Sequence, residues 1–99
     1  GHFDYFDPNL PGSTFHMRAG GQRIATVILY LSDVELGGTT RFPNVGDLNV
    51  RADEGSTVFF HNVDSNNQVI PATLHSGEPV VGDSEKWIAT KWIRERRWC

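Results

Sequence analysis

Thiols are almost missing from this chain: Cys99 is the single cysteine among 99 residues. No disulfide can form within the chain, nothing in the cysteine count argues for an oxidising compartment, and a thiolate-based metal centre is excluded. Also missing is any apolar run near the roughly 20 residues that a membrane-spanning helix needs, so no membrane span is expected. No secretory leader is visible. Gly1 is not a natural start, and the chain opens inside a motif, so upstream sequence is expected to be missing. A basic excess is lacking as well. The net charge is −3, which supplies no global field for nucleic acid. The one basic cluster, Lys91, Arg94, Arg96 and Arg97, reads as a solvated strand end or a terminal tail. Helical periodicity is nearly absent throughout.

What the chain does have is short apolar stretches separated by Gly, Pro, Asn and Asp, with eleven aromatic residues among them (six Phe, two Tyr, three Trp). That pattern predicts an all-β domain with large side chains in its interior. Strands are expected over 1–6, 22–32, 39–43, 48–52, 56–61, 71–76 and 86–95. Residues 7–21 are expected to form a long loop, and 33–38 and 77–83 to turn. The run QRIATVILYLS at 22–32 is nearly continuous in β-branched and aliphatic residues, so this strand is expected to be buried on both faces. Some seven strands at this spacing, in a chain sized for one domain over 1–99, suit a sandwich or a double-sheet jelly roll.

Two candidate constellations carry chemistry. His2 and Asp4 stand two apart in an expected strand, and positions i and i+2 of a strand face the same way. An imidazole and a carboxylate would then meet at one spot. Two histidines and one carboxylate on one face of a metal, with positions left open, typify non-haem iron(II) oxygenases. His16, His61 and His75 are all candidates for the third ligand. Taken alone, an H-x-D pair recurs by chance, and such a histidine is more often structural. The second constellation is Lys86, Thr90 and Trp92 at even spacing in the last expected strand. A cation, a hydroxyl and an aromatic wall on one face would suit a small dicarboxylate. The competing arrangement has Trp87 facing the core and Lys86 solvated. Spacing alone leaves both open.

The ordered strings HFDYF, GGQRIATVILYLSDVELGGTTRFP (20–43), GSTVFFHN (55–62), TLHSGEPV (73–80) and EKWIATKWIRE (85–95) resemble the catalytic domain of the prolyl 4-hydroxylases across nearly the whole chain. The resemblance implies a double-stranded β-helix (jelly roll). The family's upstream helices, first core strand and an upstream tyrosine that helps to bind cosubstrate lie outside these residues, so an exposed sheet edge and marginal stability are expected. It implies His2, Asp4 and His75 as iron(II) ligands, and Lys86, Tyr30, Thr90 and Trp92 as residues that bind 2-oxoglutarate. Arg23 and Thr26 fall at motif positions that line or shape the site. The implied reaction uses O2 and 2-oxoglutarate, releases succinate and carbon dioxide, and hydroxylates an unactivated C–H bond, with ascorbate rescuing over-oxidised iron. A proline in a peptide or protein is the implied substrate. A free amino acid or small metabolite is the alternative substrate, and a non-catalytic binding module is the alternative role.

The chain departs from the family pattern in places. Lys86 follows His75 by eleven residues where the family usually has ten, which predicts a small bulge. Glu78 stands where animal members often carry Cys, and FFHN replaces FFWN. Both lean towards bacterial-type members, and with the lone cysteine they suggest the cytoplasm. No nucleic-acid or membrane partner is expected, and the oligomeric state is not legible.

Overall fold

The computed structural model describes residues 1–18 and 20–96; Arg97 and Cys99 lie outside the described residues. The expectation of an almost wholly β chain holds. β1 (Arg23–Tyr30) runs between β5 (Thr57–His61) and β8 (Ile88–Arg94) in one antiparallel sheet. β3 (Thr40–Phe42) runs between β4 (Leu48–Val50) and β6 (Ser76–Gly77) in a second. β2 (Leu36–Gly37) and β7 (Val80–Val81) pair as a ribbon. A 3-10 turn at Pro71–Thr73 precedes β6. No described helix is long and apolar enough to cross a membrane.

Strand alternation sets the interior. The even positions of β1 put Thr26, Ile28 and Tyr30 inside. Ile28 and Tyr30 join Val34 and Ala52 in the core, with Val50, Val58, Phe60 and Val80 packed against them from the other strands. The core is therefore where the two sheets face each other. The Tyr30 hydroxyl bonds the Thr40 hydroxyl across it at 2.6 Å, so both buried polar groups are satisfied.

Several elements differ from the sequence expectation. β1 is not buried on both faces: Leu29 and Leu31, together with Phe59, Trp87 and Ile93, are exposed on or beside its outer side. The run is apolar on both sides, and the outer one is covered only near its start: Ala25 is buried, whereas Leu29 is exposed. Residues 1–6 form no strand. Only His2 pairs, with His75, and the chain then bends at Asp4–Tyr5. The stretch 7–21 contains a helix, α1 (Ser13–Met17), whose five residues are too few to display a 3.6-residue period. The expected strand over 71–76 is mostly the 3-10 turn, which Pro71 favours at its first position. The stretches 33–38 and 77–83 are not simple turns, since they contribute β2 and β7, two residues each and too short to alternate visibly. The eleven-residue interval from His75 to Lys86 needs no strand bulge. The chain takes it up in the irregular segment 82–87, with Gly82 at φ 98°.

The β2–β7 ribbon depends on Gly37, which sits at φ 69° with its Cα against the Pro79 carbonyl. A Cβ there would overlap that oxygen, and the left-handed backbone disfavours any side chain. Gly37→Ala is expected to cost more than about 1 kcal/mol in denaturant unfolding; unchanged stability would show that the ribbon yields freely.

Candidate metal and cosubstrate site

The site begins with a backbone clip. The His2 N–H donates to the His75 carbonyl at 2.8 Å, and the His75 N–H donates to the His2 carbonyl at 3.0 Å. This reciprocal pair lays the N-terminal segment beside the approach to β6 and sets the two imidazoles side by side, tilted at 57° with centroids 4.3 Å apart. The bend after residue 3 then turns Asp4 back towards them. His2 Nε2 lies 3.1 Å from Asp4 Oδ1, and His75 Nε2 lies 3.5 Å from the same oxygen. Of the three competing histidines, His75 is the one brought to this pair. His16 stacks on Phe6 at 5.3 Å, and His61 is exposed, edge-on to Phe59 at 5.2 Å.

The donor set suits a divalent metal. Two nitrogens and one oxygen bound at about 2.1 Å and at right angles would lie about 3 Å apart. The contacts at 3.1 and 3.5 Å are close to that spacing. The protonation pattern fits as well. His75 Nδ1 lies 2.8 Å from the Thr73 carbonyl, which can only accept. Nδ1 therefore carries hydrogen, and the Nε2 lone pair is left for a metal. The Asp4 Oδ2 atom accepts from the Thr26 hydroxyl at 3.0 Å and from the Trp92 indole N–H at 3.4 Å. One carboxylate oxygen is thus held by the protein, and the other faces the imidazoles.

The electrostatics follow this geometry. Burial by itself would raise the Asp4 carboxyl. The hydrogen bond and charge of His75, with the Thr26 and Trp92 donors, outweigh it and lower Asp4 to about 2. Burial by itself would lower His75, but its bonds to Asp4 and to the Thr73 carbonyl, and the Asp4 charge, raise it. The side chains of Asp4 and His75 are 10% and 6% exposed, whereas that of His2 is 61% exposed, so the site opens on the His2 side.

A cavity of about 240 Å³ adjoins the three side chains. Ile28 of β1 and Ile88, Thr90 and Trp92 of β8 form one wall, with Thr40 and Gly77 opposite and Lys86 at the end. The even-numbered face of the last strand therefore lines the cavity as expected, while Trp87 is exposed instead of entering the core. Lys86 lies just ahead of β8, and its Nζ is 6.0 Å from the Tyr30 ring centre. Burial lowers its pKa, and it makes no ion pair among the described residues. A partly buried cation without an anion among the described residues is suited to receive a carboxylate. Tyr30 does not line the cavity. It lies beneath the floor, and its hydroxyl reaches the cavity through Thr40. Arg23 packs against Trp92 at 3.9 Å and Phe6 at 4.6 Å, with a buried Nε that has no partner.

Sequence reasoning did not single out Ile28, Thr40 or Ile88. Ile28 and Ile88 share strand parity with Thr26 and Thr90 and could have been found by that signal. Thr40 could not, because its place depends on the facing of the two sheets.

Comparison with known proteins points the same way. The sequence model of the 2OG-Fe(II) oxygenase superfamily matches residues 1–94. Prolyl 4-hydroxylase 1 of Arabidopsis thaliana is 36% identical over 107 residues, covering 96% of this chain and 36% of that protein. Prolyl 4-hydroxylase subunit alpha-1 of Homo sapiens is 38% identical over 95 residues, covering 96% of this chain and 17% of that one. Among solved structures, the viral collagen prolyl hydroxylase of Paramecium Bursaria Chlorella virus-1, as its 2OG complex, superposes with a TM-score of 0.75 at 34% identity, covering 94% of this chain and 49% of that one. The chain thus spans about a third of the plant relative's length, and the likeness extends to the jelly-roll fold.

Asp4 gives the metal-free protein a pH signature. Its folded pKa lies below its unfolded value of 3.8, so its contribution to stability is present above about pH 4 and is lost as pH falls towards 2. The difference corresponds to about 2 kcal/mol. His75 has the opposite sign, since its raised pKa stabilises at low pH and the effect fades as pH rises through it. Asp4→Asn is expected to flatten the fall in unfolding free energy between about pH 4 and 2; an unaltered slope would mean that Asp4 is not paired.

Proposed function

Because this chain belongs to the 2OG-Fe(II) oxygenase superfamily, we propose that His2, Asp4 and His75 hold iron(II) and that Lys86 binds the distal carboxylate of 2-oxoglutarate in a proline-hydroxylating enzyme. The observation that carries this reading is the convergence of two imidazoles and one carboxylate on a cavity that is also lined by Lys86, a lysine without an ion pair among the described residues. The metal and cosubstrate supply the oxidative chemistry: 2-oxoglutarate loses carbon dioxide to give succinate, and one oxygen atom of O2 enters a C–H bond.

The chain's own residues bind, orient and exclude water. The Thr73 carbonyl keeps His75 in the tautomer that offers Nε2. Thr26 and Trp92 hold the Asp4 oxygen turned away from the metal position. Lys86 neutralises the far carboxylate of a ligand lying along β8, and Thr90 donates a hydrogen bond to it. Tyr30 serves the same carboxylate through the Thr40 hydroxyl that it bonds. Ile28 and Ile88 supply the apolar part of the lining between them. Ascorbate is the expected reductant for iron that oxidises without turnover. The two relatives and the viral structure named above are prolyl hydroxylases, which supports a proline in a peptide or protein as the substrate. Residues 1–99 act as one catalytic domain within the protein that carries them.

The test is succinate release with Fe(II), 2-oxoglutarate and ascorbate, with a proline-rich peptide against free amino acids. Peptide-stimulated turnover with hydroxyproline formation is expected, and stimulation by free amino acids alone would overturn the substrate. His75→Ala is expected to abolish turnover. Lys86→Met is expected to raise the KM for 2-oxoglutarate about 10- to 100-fold, the loss of one charge-assisted contact. An unchanged KM would remove Lys86 from the cosubstrate site.

A further inference from the structure

Behind the site, the Thr26 that holds Asp4 is itself bonded to a second buried polar residue, Asn62, to which the reading above gives no role. Thr26 is 0% exposed and Asn62, the residue after β5, is 1% exposed. The Asn62 Nδ2 atom lies 2.9 Å from Thr26 Oγ1 and 3.4 Å from the Arg23 carbonyl, while its Oδ1 lies 3.3 Å from Thr26 Oγ1. The backbone holds Asn62 from both sides: its N–H donates to the Ile24 carbonyl at 2.7 Å, and its carbonyl accepts from the Ile70 N–H at 3.0 Å.

A backbone carbonyl can only accept, so the Arg23 carbonyl selects the amide orientation that places Nδ2 beside it. In that orientation the other Nδ2 hydrogen enters the Thr26 oxygen. The Thr26 hydroxyl has one hydrogen of its own, and Asp4 Oδ2 at 3.0 Å is its nearest acceptor. With the amide reversed, the Asn62 oxygen would compete for that hydrogen and Asp4 would lose a donor. Removing a donor from a buried carboxylate frees it to rotate or to present both oxygens.

We propose that Asn62 is a positioning residue for the metal-binding carboxylate. Its amide, oriented by the Arg23 carbonyl, turns the Thr26 hydroxyl hydrogen to Asp4 Oδ2 and leaves Oδ1 to face the two imidazoles. The proposal rests on the assignment of Asp4 as a ligand, and its test separates the two. Co(II) binding is titrated anaerobically by its visible absorption and by calorimetry, with folding checked by circular dichroism.

Asn62→Asp keeps the shape but replaces the donor by an acceptor that draws the Thr26 hydrogen away. It is expected to weaken Co(II) binding about 10- to 100-fold and to alter the absorption envelope, as is Thr26→Val, which keeps volume but lacks the hydroxyl. Thr26→Ser retains the hydroxyl and is expected to restore parental affinity and spectrum, a rescue that a merely structural role would not require. Folded Asn62→Asp and Thr26→Val proteins with parental affinity and spectrum would overturn the proposal. If Asn62→Asp does not fold, Thr26→Val against Thr26→Ser decides it alone, and equal behaviour of that pair overturns it. If His75→Ala binds Co(II) as tightly as the parent, the metal assignment itself fails.

Discussion

Two backbone hydrogen bonds between His2 and His75 hold the rest of the site in place. Among the described residues they are the one ladder contact of the N-terminal segment, and they place His2 where Asp4, held by Thr26 and Trp92, can meet both imidazoles. With them, two imidazoles far apart in the sequence stand side by side, and one bend returns Asp4 between them. Bringing three polar groups together costs conformational freedom and desolvates a charge. The cost is offset locally: Asp4 takes hydrogen bonds from Thr26 and Trp92, and His75 from its own side donates to Thr73.

The two sheets divide the remaining work. The β5–β1–β8 sheet supplies the wall along which a ligand would lie, and its central strand contributes Thr26, Ile28 and Tyr30 in succession from one face. The second sheet supplies Thr40 and the approach to His75. Cavity residues therefore share the interior with core residues, and the Tyr30–Thr40 bond belongs to both. A packed floor under the cavity keeps each donor within a narrow range of positions, which is what coordination and carboxylate binding require.

Much of this was legible in the sequence because it depends on strand parity. Thr26, Ile28 and Tyr30 share a face, as do Thr90 and Trp92, and the two-residue step between His2 and Asp4 does bring them together. The reason for that last meeting was different, however: a single bridge and a bend, not a strand. His75 could not be chosen over His16 and His61 by spacing, because the choice is made by the pairing of distant segments. The same limit hid Thr40 and the support that Asn62 gives to Thr26. The helix at Ser13–Met17 and the ribbon strands β2 and β7 were missed because they are shorter than the periods used to detect them. The outer face of β1 read as buried because its residues are apolar, yet composition does not say what lies against them.

The central claim is that one metal ion sits between these three side chains. Anomalous diffraction at the iron edge, from crystals grown anaerobically with Fe(II), tests it most directly. The account predicts one iron peak within bonding distance of His2 Nε2, Asp4 Oδ1 and His75 Nε2. A peak elsewhere, or one that touches only two of them, would contradict it.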